Sequence, residues 1–380
     1  MGAKQAAADR FDAVQDDLVS LSRWLYEHPE LAYEEHESAA RLAGFLEEQG
    51  FSVTHPAHGI DTAFRATAGT EGPEVVICAE YDALPEVGHA CGHNIIAAAA
   101  LGAGTALAGL VEDLGVRVTV LGTPAEEKYG GKVELIREGA FEGAAAAMMV
   151  HPTTRDVLDP AVLAIAHLDV EFHGEAAHAS ASPWEGRNAL DAFVTAYVNV
   201  STWRQALKPT DRVHGVVTYG GKAANVIPAY TSSEWFVRAA DKARLDVLLE
   251  RFTDQMEAAA RASACTVEIT PQGCEYTDMR HDATLARLYA ANSEALGRPL
   301  ERAKPGDPAG STDMGNVSYE VPSIHPMLAI ETDGAVNHQP GFAAATITES
   351  GERAIHDGAL GMAWTIVDLA DQDLWGELGG

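Results

Sequence analysis

Basic residues are scarce. Lys and Arg number 26 against 56 Asp and Glu, a net charge of −30 at pH 7. That balance argues against a nucleic-acid partner and against an anionic membrane surface. It does not choose a small-molecule substrate, because local charge in a cleft can oppose the global sign; most of these carboxylates read as a solubilising surface. Cysteine is scarce too. Cys78, Cys91, Cys265 and Cys274 are too few and too irregularly spaced for a disulfide framework in a chain of 380 residues, so a reducing cytoplasm is expected. No apolar run approaches a membrane span, and no signal-peptide h-region is expected at the N-terminus. There are no repeats, and low complexity is confined to Ala-rich helices. What is left is a globular chain, 47% hydrophobic and 22% charged, long enough for two domains.

The organising stretch runs from Ala79 to Asn94. It follows the apolar run Val75-Val76-Ile77-Cys78, a buried strand, and precedes an Ala-rich helix from Ile95. An acid, a thiol and two histidines thus fall between a strand's carboxyl end and a helix N-terminus, where α/β proteins build sites. Cys91 and His93, two apart, point the same way in an extended loop. A thiolate and an imidazole converging there suit a borderline-soft metal such as zinc; a buried free cysteine beside a capping histidine is the plain alternative.

Around this stretch the pattern predicts an α/β fold. Phe11, Val14, Leu18, Leu21 and Leu25 mark an amphipathic helix over Ala6 to Leu25, and Glu34 to Gln49 a second. Short strands are expected at 51–53 and 62–66, then 73–78, 116–121 and 144–150, with helices at 95–110 and 132–138. Strand and helix alternating in this rhythm argue for a largely parallel sheet. The strand 116–121 ends in Glu126-Glu127. Adjacent carboxylates repel unless a cation or proton lies between them, and a metal with a water in need of a base supplies both roles; a solvated pair starting a helix is the alternative. His151-Pro152 closes the next strand. From Leu163 the order becomes strand, helix, strand, strand, helix, strand, that of a ferredoxin-like unit. Residues 163–277 therefore read as an inserted dimerisation or lid domain, with 1–162 and 278–380 forming the metal-binding catalytic domain. The latter resumes with a helix at 283–296, a polar loop at 305–313, a strand at 323–330 and a final helix at 350–369.

Gly88-His89-Ala90-Cys91-Gly92-His93, Thr123-Pro124-Ala125-Glu126-Glu127, His151-Pro152, Ala177-His178-Ala179, Asn225-Val226-Ile227-Pro228 and Asn337-His338 occur in one order. Together they resemble the two-metal aminoacylase and carboxypeptidase family, metallopeptidase clan MH. The branch they resemble most holds aminobenzoyl-glutamate hydrolase, auxin-conjugate amidohydrolases and β-alanyl-dipeptide hydrolases. The resemblance spans nearly the whole chain. It implies an enzyme that cleaves the amide bond of a small N-acyl amino acid or dipeptide, working as a homodimer. It implies two divalent ions per chain, zinc, manganese or cobalt, held by Cys91, His93, Glu127, His151 and His338, with Cys91 bridging. It makes Glu126 the general base and gives His178 an oxyanion or carboxylate contact in the partner subunit's site. Asp82 would orient a ligand, and Asn94, where many relatives carry Asp, would stand behind His93. Asn225 and Arg238 are candidates for a substrate carboxylate, Arg238 by a bidentate fork, and Ser311 and Thr312 for the pocket wall. His89 and His325 are left as packing residues.

Two other classes are weighed. A thiol hydrolase or redox protein would use Cys91 with His93, but leaves Glu126-Glu127 unexplained. A non-catalytic metal-binding homologue would be expected to have lost the base, and Glu126 is present.

Overall fold

The computed structural model describes residues 2–379 except 305 and 308. Its strands, in chain order, are β1 (Ser52–Thr54), β2 (Arg65–Ala68), β3 (Glu74–Ala79), β4 (Arg117–Gly122), β5 (Ala144–Met148), β6 (His151–Thr153), β7 (Ala164–His173), β8 (Arg212–Tyr219), β9 (Tyr230–Ala239), β10 (Thr266–Pro271), β11 (Ser323–Ile324) and β12 (Met327–Ala329). The chain divides into two units, Met1–Ala161 with Met279–Gly380, and Val162–Asp278.

The first unit holds a six-stranded sheet in the order β1-β2-β4-β3-β5-β11. From β4 to β11 neighbours run parallel, and β1 and β2 add an antiparallel edge. Every residue of β3 is buried, as a parallel strand covered on both faces must be. The helix His93–Ala108 follows β3 and is buried from His93 to Leu107. Its small residues permit close approach. A Cβ on Gly102 would stand 2.8 Å from the Phe11 ring and 3.0 Å from the Ala359 methyl; one on Gly104 would meet Val120 at 2.4 Å. The helices Ala3–Asp12 and Gln15–Glu27 and the final helix Glu349–Asp371 pack on it.

Three segments differ from the sequence reading. The first amphipathic helix is two helices, because Val14 leaves helical geometry (φ −120°, ψ 2°). Asp16 and Asp17 then fall in the first turn of the second helix, where the dipole favours acidic groups. The strand expected over 323–330 splits into β11 and β12 around His325-Pro326, since proline lacks the N–H that continues a ladder; β12 pairs with β6 in a separate two-stranded sheet. A short helix at Pro340–Ala345, begun by proline at its first turn, stands where a loop was expected, and another at Met314–Glu320 occupies a stretch the sequence reading leaves unassigned. The loop expected at 305–313 includes Pro305 and Pro308, which lie outside the described residues.

The second unit is a four-stranded antiparallel sheet, β10-β7-β9-β8, the ferredoxin-like order. Its inward residues, including Val170, Phe172 and Trp235, form a core with the helices Ala189–Trp203 and Lys242–Ala262. Asn188 and Asp241 cap those helices, each accepting backbone N–H bonds in the first turn. On β7, buried Leu168, Val170 and Phe172 alternate with His167, Asp169 and Glu171, so a one-residue slip would bury charge. β8 is an edge strand carrying exposed Val216 and Val217, and Val194, Tyr197 and Val198 are exposed on the helix Ala189–Trp203. Among the described residues no helix is long and apolar enough to cross a membrane.

Candidate metal centre and active site

Three adjacent parallel strands deliver the polar residues of the first unit. β3 runs into Glu80-Tyr81-Asp82, β4 into Glu126-Glu127, and β5 into His151 at the start of β6. The chain then brings Cys91 and His93 back over the carboxyl ends through a turn that requires glycine. Gly92 has φ 85°, and a Cβ there would lie 2.3 Å from the Pro152 ring. His338 arrives from after β12 with φ 70°, held by its N–H donating to Ala90 O at 2.8 Å. An imidazole in the left-handed region is a strained placement that the surroundings over-determine. Beside it, Asn337 donates from Nδ2 to Pro152 O at 3.2 Å, tying this loop to β6.

The donor atoms converge. One ligand atom each from Cys91, His93 and His151 lie within 4.8 Å of one another; the same holds for Cys91, Glu127 and His338, and for His93, Glu126 and Glu127. Cys91 belongs to two of these groups. Its Sγ is 3.4 Å from His151 Nε2, while His93 Nε2 is 3.7 Å from Glu127 Oε1 and 4.0 Å from Glu126 Oε2. His338 Nε2 stands 3.8 Å from Glu127 Oε2. Asp82 orients two of the set, receiving His93 Nδ1 on Oδ1 at 2.9 Å and the Glu127 N–H on Oδ2 at 3.0 Å. Asn94 does not back His93. One step along the helix it faces away, donating from Nδ2 to Ser22 Oγ at 2.9 Å and Thr346 Oγ1 at 3.1 Å; consecutive helical side chains diverge by about 100°.

The electrostatics call for a cation. Burial pushes Glu126 well above the usual carboxylate range, helped by Glu80, Glu127 and Asp313, and burial raises Glu127 as well. Burial takes His151 down to about 4. It would lower His93 too, but Asp82 holds that imidazole well above its ordinary value. Among the described residues, His93 Nε2 and Glu127 Oε1 are buried without a hydrogen-bond partner, an expensive state for polar atoms unless something fills it. Thiolate, imidazole and carboxylate donors with orphaned lone pairs fit divalent metal ions. The thiol chemistry weighed above fares worse. Burial, then Glu127, pushes the Cys91 thiol well above its usual range, whereas a cysteine nucleophile needs the reverse.

Two partnerships here were not anticipated. Glu35, buried, accepts the Ala125 N–H on Oε1 at 2.9 Å, just before the Glu126-Glu127 pair. Lys132, Glu80 and Asp313 form a fully buried ion cluster next to Glu126. For the second, the residues around Lys132, with Glu134 and Arg137 in the same short helix, carry no signal of it. Thr312 turns inward, its Oγ1 accepting the Met314 N–H at 3.2 Å to start the helix Met314–Glu320, while Ser311 Oγ is buried without a partner. His89 and His325 are neutral packing groups, burial taking His89 down to about 3 and holding His325 well below its ordinary value.

In the second unit, His178 is exposed on a loop beside Asn225, whose carbonyl accepts the Ala179 N–H at 3.0 Å. His178 Nδ1 accepts the N–H groups of Ser180 and Ala181, both at 3.3 Å. That fixes the tautomer with the proton on Nε2, so the free edge is a donor. Arg238 lies on the outward face of β9, half-buried, with Nε unpartnered. His167 and His214 flank Phe236 in the next cross-strand row, and burial followed by Arg238 lowers both.

Known proteins match this arrangement. The model of peptidase family M20/M25/M40 matches residues 76–354, from β3 through the His338 loop into the final helix. The chain belongs to this family. It is 41% identical over 382 residues to a Mus musculus protein described as Xaa-Arg dipeptidase, covering 96% of this chain and 88% of that one. It is 32% identical over 281 residues to a p-aminobenzoyl-glutamate hydrolase component of Escherichia coli, covering 68% of this chain and 58% of that one. A Bacillus subtilis crystal structure described as a dinuclear metal-binding M20 peptidase superposes with a TM-score of 0.73 at 20% identity, covering 95% of this chain and 99% of that one. By class this M20 protein is a peptidase or amidohydrolase.

Proposed function

We propose that this M20 protein hydrolyses the amide of a small dipeptide or N-acyl amino acid with a free carboxylate, and that a dipeptide with a basic C-terminal residue is its best substrate. The observation that carries the reaction is the convergence on Cys91 of donors from separate strand-end loops, with Glu126 beside them. The full-length likeness to the Xaa-Arg dipeptidase favours the basic residue over the aminobenzoyl-glutamate alternative, whose relative matches less of the chain.

Cys91, His93, Glu127, His151 and His338 would hold two divalent ions, zinc, manganese or cobalt, with Cys91 shared. When bound, such ions supply Lewis acidity to the water and the amide carbonyl. The residues do the rest. Asp82 fixes the His93 ring so that Nε2 faces the centre. Glu126 takes the proton of the attacking water on its carboxylate and hands it to the leaving amine nitrogen. His178 donates from Nε2 to the developing oxyanion in the partner subunit's site. Arg238, a half-buried cation whose Nε has no partner among the described residues, and Asn225 hold the substrate carboxylate, with Ser311 and Thr312 in the pocket wall. The edge strand β8, with its exposed valines and those of the helix Ala189–Trp203, supports a homodimer formed through the second unit. The small number of cysteines is in keeping with a reducing cytoplasm.

The test compares Xaa-Arg and Xaa-Lys dipeptides with p-aminobenzoyl-glutamate, and each good substrate with its carboxamide, by amine release from metal-reconstituted protein. Loss of a charge-assisted clamp costs about 1.5–3 kcal/mol, ten- to more than a hundredfold in kcat/KM. Equal rates on acid and carboxamide would refute the carboxylate contact. A preference for p-aminobenzoyl-glutamate would refute the basic residue. Glu126→Gln should keep metal and lose roughly 10²–10⁴-fold in turnover.

A further inference from the structure

A buried ammonium stands beside the proposed base, and no step above uses it. Lys132 and Asp313 are fully buried and Glu80 is 1% exposed. Lys132 Nζ lies 2.5 Å from Glu80 Oε1 and 2.7 Å from Asp313 Oδ1, and Asp313 Oδ2 accepts the Lys132 backbone N–H at 2.9 Å. Glu126 closes the group, since one carboxylate oxygen each from Glu80, Glu126 and Asp313 lie within 4.8 Å of one another. Three carboxylates so close and so dry repel strongly unless a cation is set among them. Among the described ion pairs, Lys132 is the only cation on Asp313.

The cluster joins three parts of the first unit. Glu80 follows β3, Asp313 precedes the helix Met314–Glu320, and Lys132 lies six residues after Glu126. The turn between base and lysine has little slack. The N–H groups of Tyr129, Gly130 and Gly131 converge on Ala125 O at 3.2, 3.0 and 3.4 Å. Ala125 itself has φ 62°, and a Cβ on Gly131 would stand 1.9 Å from Pro124 O. Where Lys132 is anchored therefore dictates where residues 125–127 sit. The second oxygen of Glu80, unpartnered, faces His93 Nε2 at 3.5 Å, so the same clamp reaches the edge of the metal centre.

We infer that Lys132 is a positioning residue for the hydrolysis: its ammonium, clamped between Glu80 and Asp313, holds the turn that carries Glu126 and keeps that carboxylate in its working orientation. This rests on Glu126 being the base. Lys132→Met retains the aliphatic stem and the backbone N–H bond to Asp313 Oδ2 but removes the ammonium, leaving Asp313 without its counter-charge and the turn without the clamp that fixes that carboxylate against Glu80. A misplacement of about 1 Å at a reacting group lowers turnover on the order of 10²-fold.

The experiment purifies wild type, Lys132→Met and Glu126→Gln as full chains. It measures bound metal per chain, melting temperature, and kcat and KM well below each melting temperature. The expected result for Lys132→Met is wild-type metal content, KM within about twofold and kcat lower by about 10²-fold, a split that destabilisation alone would not produce. A kcat within about threefold of wild type, with Glu126→Gln inactive, overturns the clamp and leaves the base assignment standing. If Glu126→Gln turns over normally, the base assignment is what fails. Loss of metal from Lys132→Met would overturn the inference in favour of support for the ligands. Should Lys132→Met not fold, the charge-balanced Lys132→Met, Glu80→Gln, Asp313→Asn protein decides by the same criteria, and normal turnover there refutes the role.

Discussion

Asp82 offers a quantitative test of the centre, because one carboxylate serves two proposed ligands. Oδ1 receives the His93 ring at 2.9 Å and Oδ2 the Glu127 N–H at 3.0 Å, and the side chain is buried. Asp82→Asn preserves size but leaves a single acceptor oxygen, so either the imidazole or the Glu127 amide loses its partner. Loss of a hydrogen bond to a charged group is worth about 1.5–3 kcal/mol, which at about 1.4 kcal/mol per decade is ten- to a hundredfold in metal affinity. Outer carboxylates behind metal-binding histidines generally have effects of that size. The assay titrates metal-free protein in buffered free zinc and reads occupancy by chelator competition, with circular dichroism as the check on fold. Occupancy should shift to higher free metal by that factor, and turnover per loaded site should change less. Asn94→Ala supplies the control. Its amide bonds to Ser22 and Thr346, so it should cost about 1–3 kcal/mol of stability and leave the metal midpoint unmoved. An unchanged midpoint for Asp82→Asn in a folded protein would refute the orienting role, and equal shifts for both variants would show that any packing defect loosens the centre.

Metal analysis of fully loaded protein should give two ions per chain, and no more than one would refute the shared-cysteine centre; Glu127→Gln should lower occupancy where Glu126→Gln does not. His178→Ala should cut turnover with metal content unchanged, and mixing it with Glu126→Gln should restore part of the activity through one intact site per mixed dimer; no recovery despite proven subunit exchange would reject the cross-subunit contact. Burial, then Asp82, raises Glu35 from the usual 4.5 to about 7, so between those values the folded state keeps a proton that the unfolded chain has released, and stability of the metal-free protein falls as pH rises through that window. Glu35→Gln should flatten the fall, which is about 3 kcal/mol at most; identical pH slopes by chemical denaturation would refute it.

The elements of the proposed site were legible because each sits at a hydrophobic-to-polar transition. Val75–Cys78 breaks into Glu80 and Asp82, and Val118–Leu121 into Glu126-Glu127. In a parallel sheet all such transitions fall at one edge, so strand assignment puts Glu126-Glu127 and His151 beside the stretch that holds Cys91 and His93, while the ligand set itself is what the family resemblance implies. The second unit was legible from alternation on β7 and from its element order. The failures share another cause. Nothing in the residues around Lys132 says that its ammonium meets Asp313, 181 positions away; locally it reads as a helix-starting surface lysine. Glu35 reads as the first turn of an exposed helix, yet it closes on Ala125 across 90 positions. Asn94 was read through its neighbour His93, whereas helix geometry sends the two side chains to different surroundings.

These long-range partners bear on how the site keeps its shape. The proposed ligands lie on loops that leave strand ends, but strand ends alone do not fix side chains to the few tenths of an ångström that catalysis needs. The fixing is done by buried carboxylates that each span two segments: Asp82 joins the His93 helix to the Glu127 turn, Glu35 joins the helix His36–Glu48 to Ala125, and Asp313 joins its own helix to Lys132. All three act on residues 125–132 by accepting a backbone N–H. A backbone acceptor pins the chain path whatever the side chain beside it, so the Glu126-Glu127 turn is held at Ala125, at Glu127 and at Lys132, and the two carboxylates between those anchors are free to differ in role while remaining fixed in place.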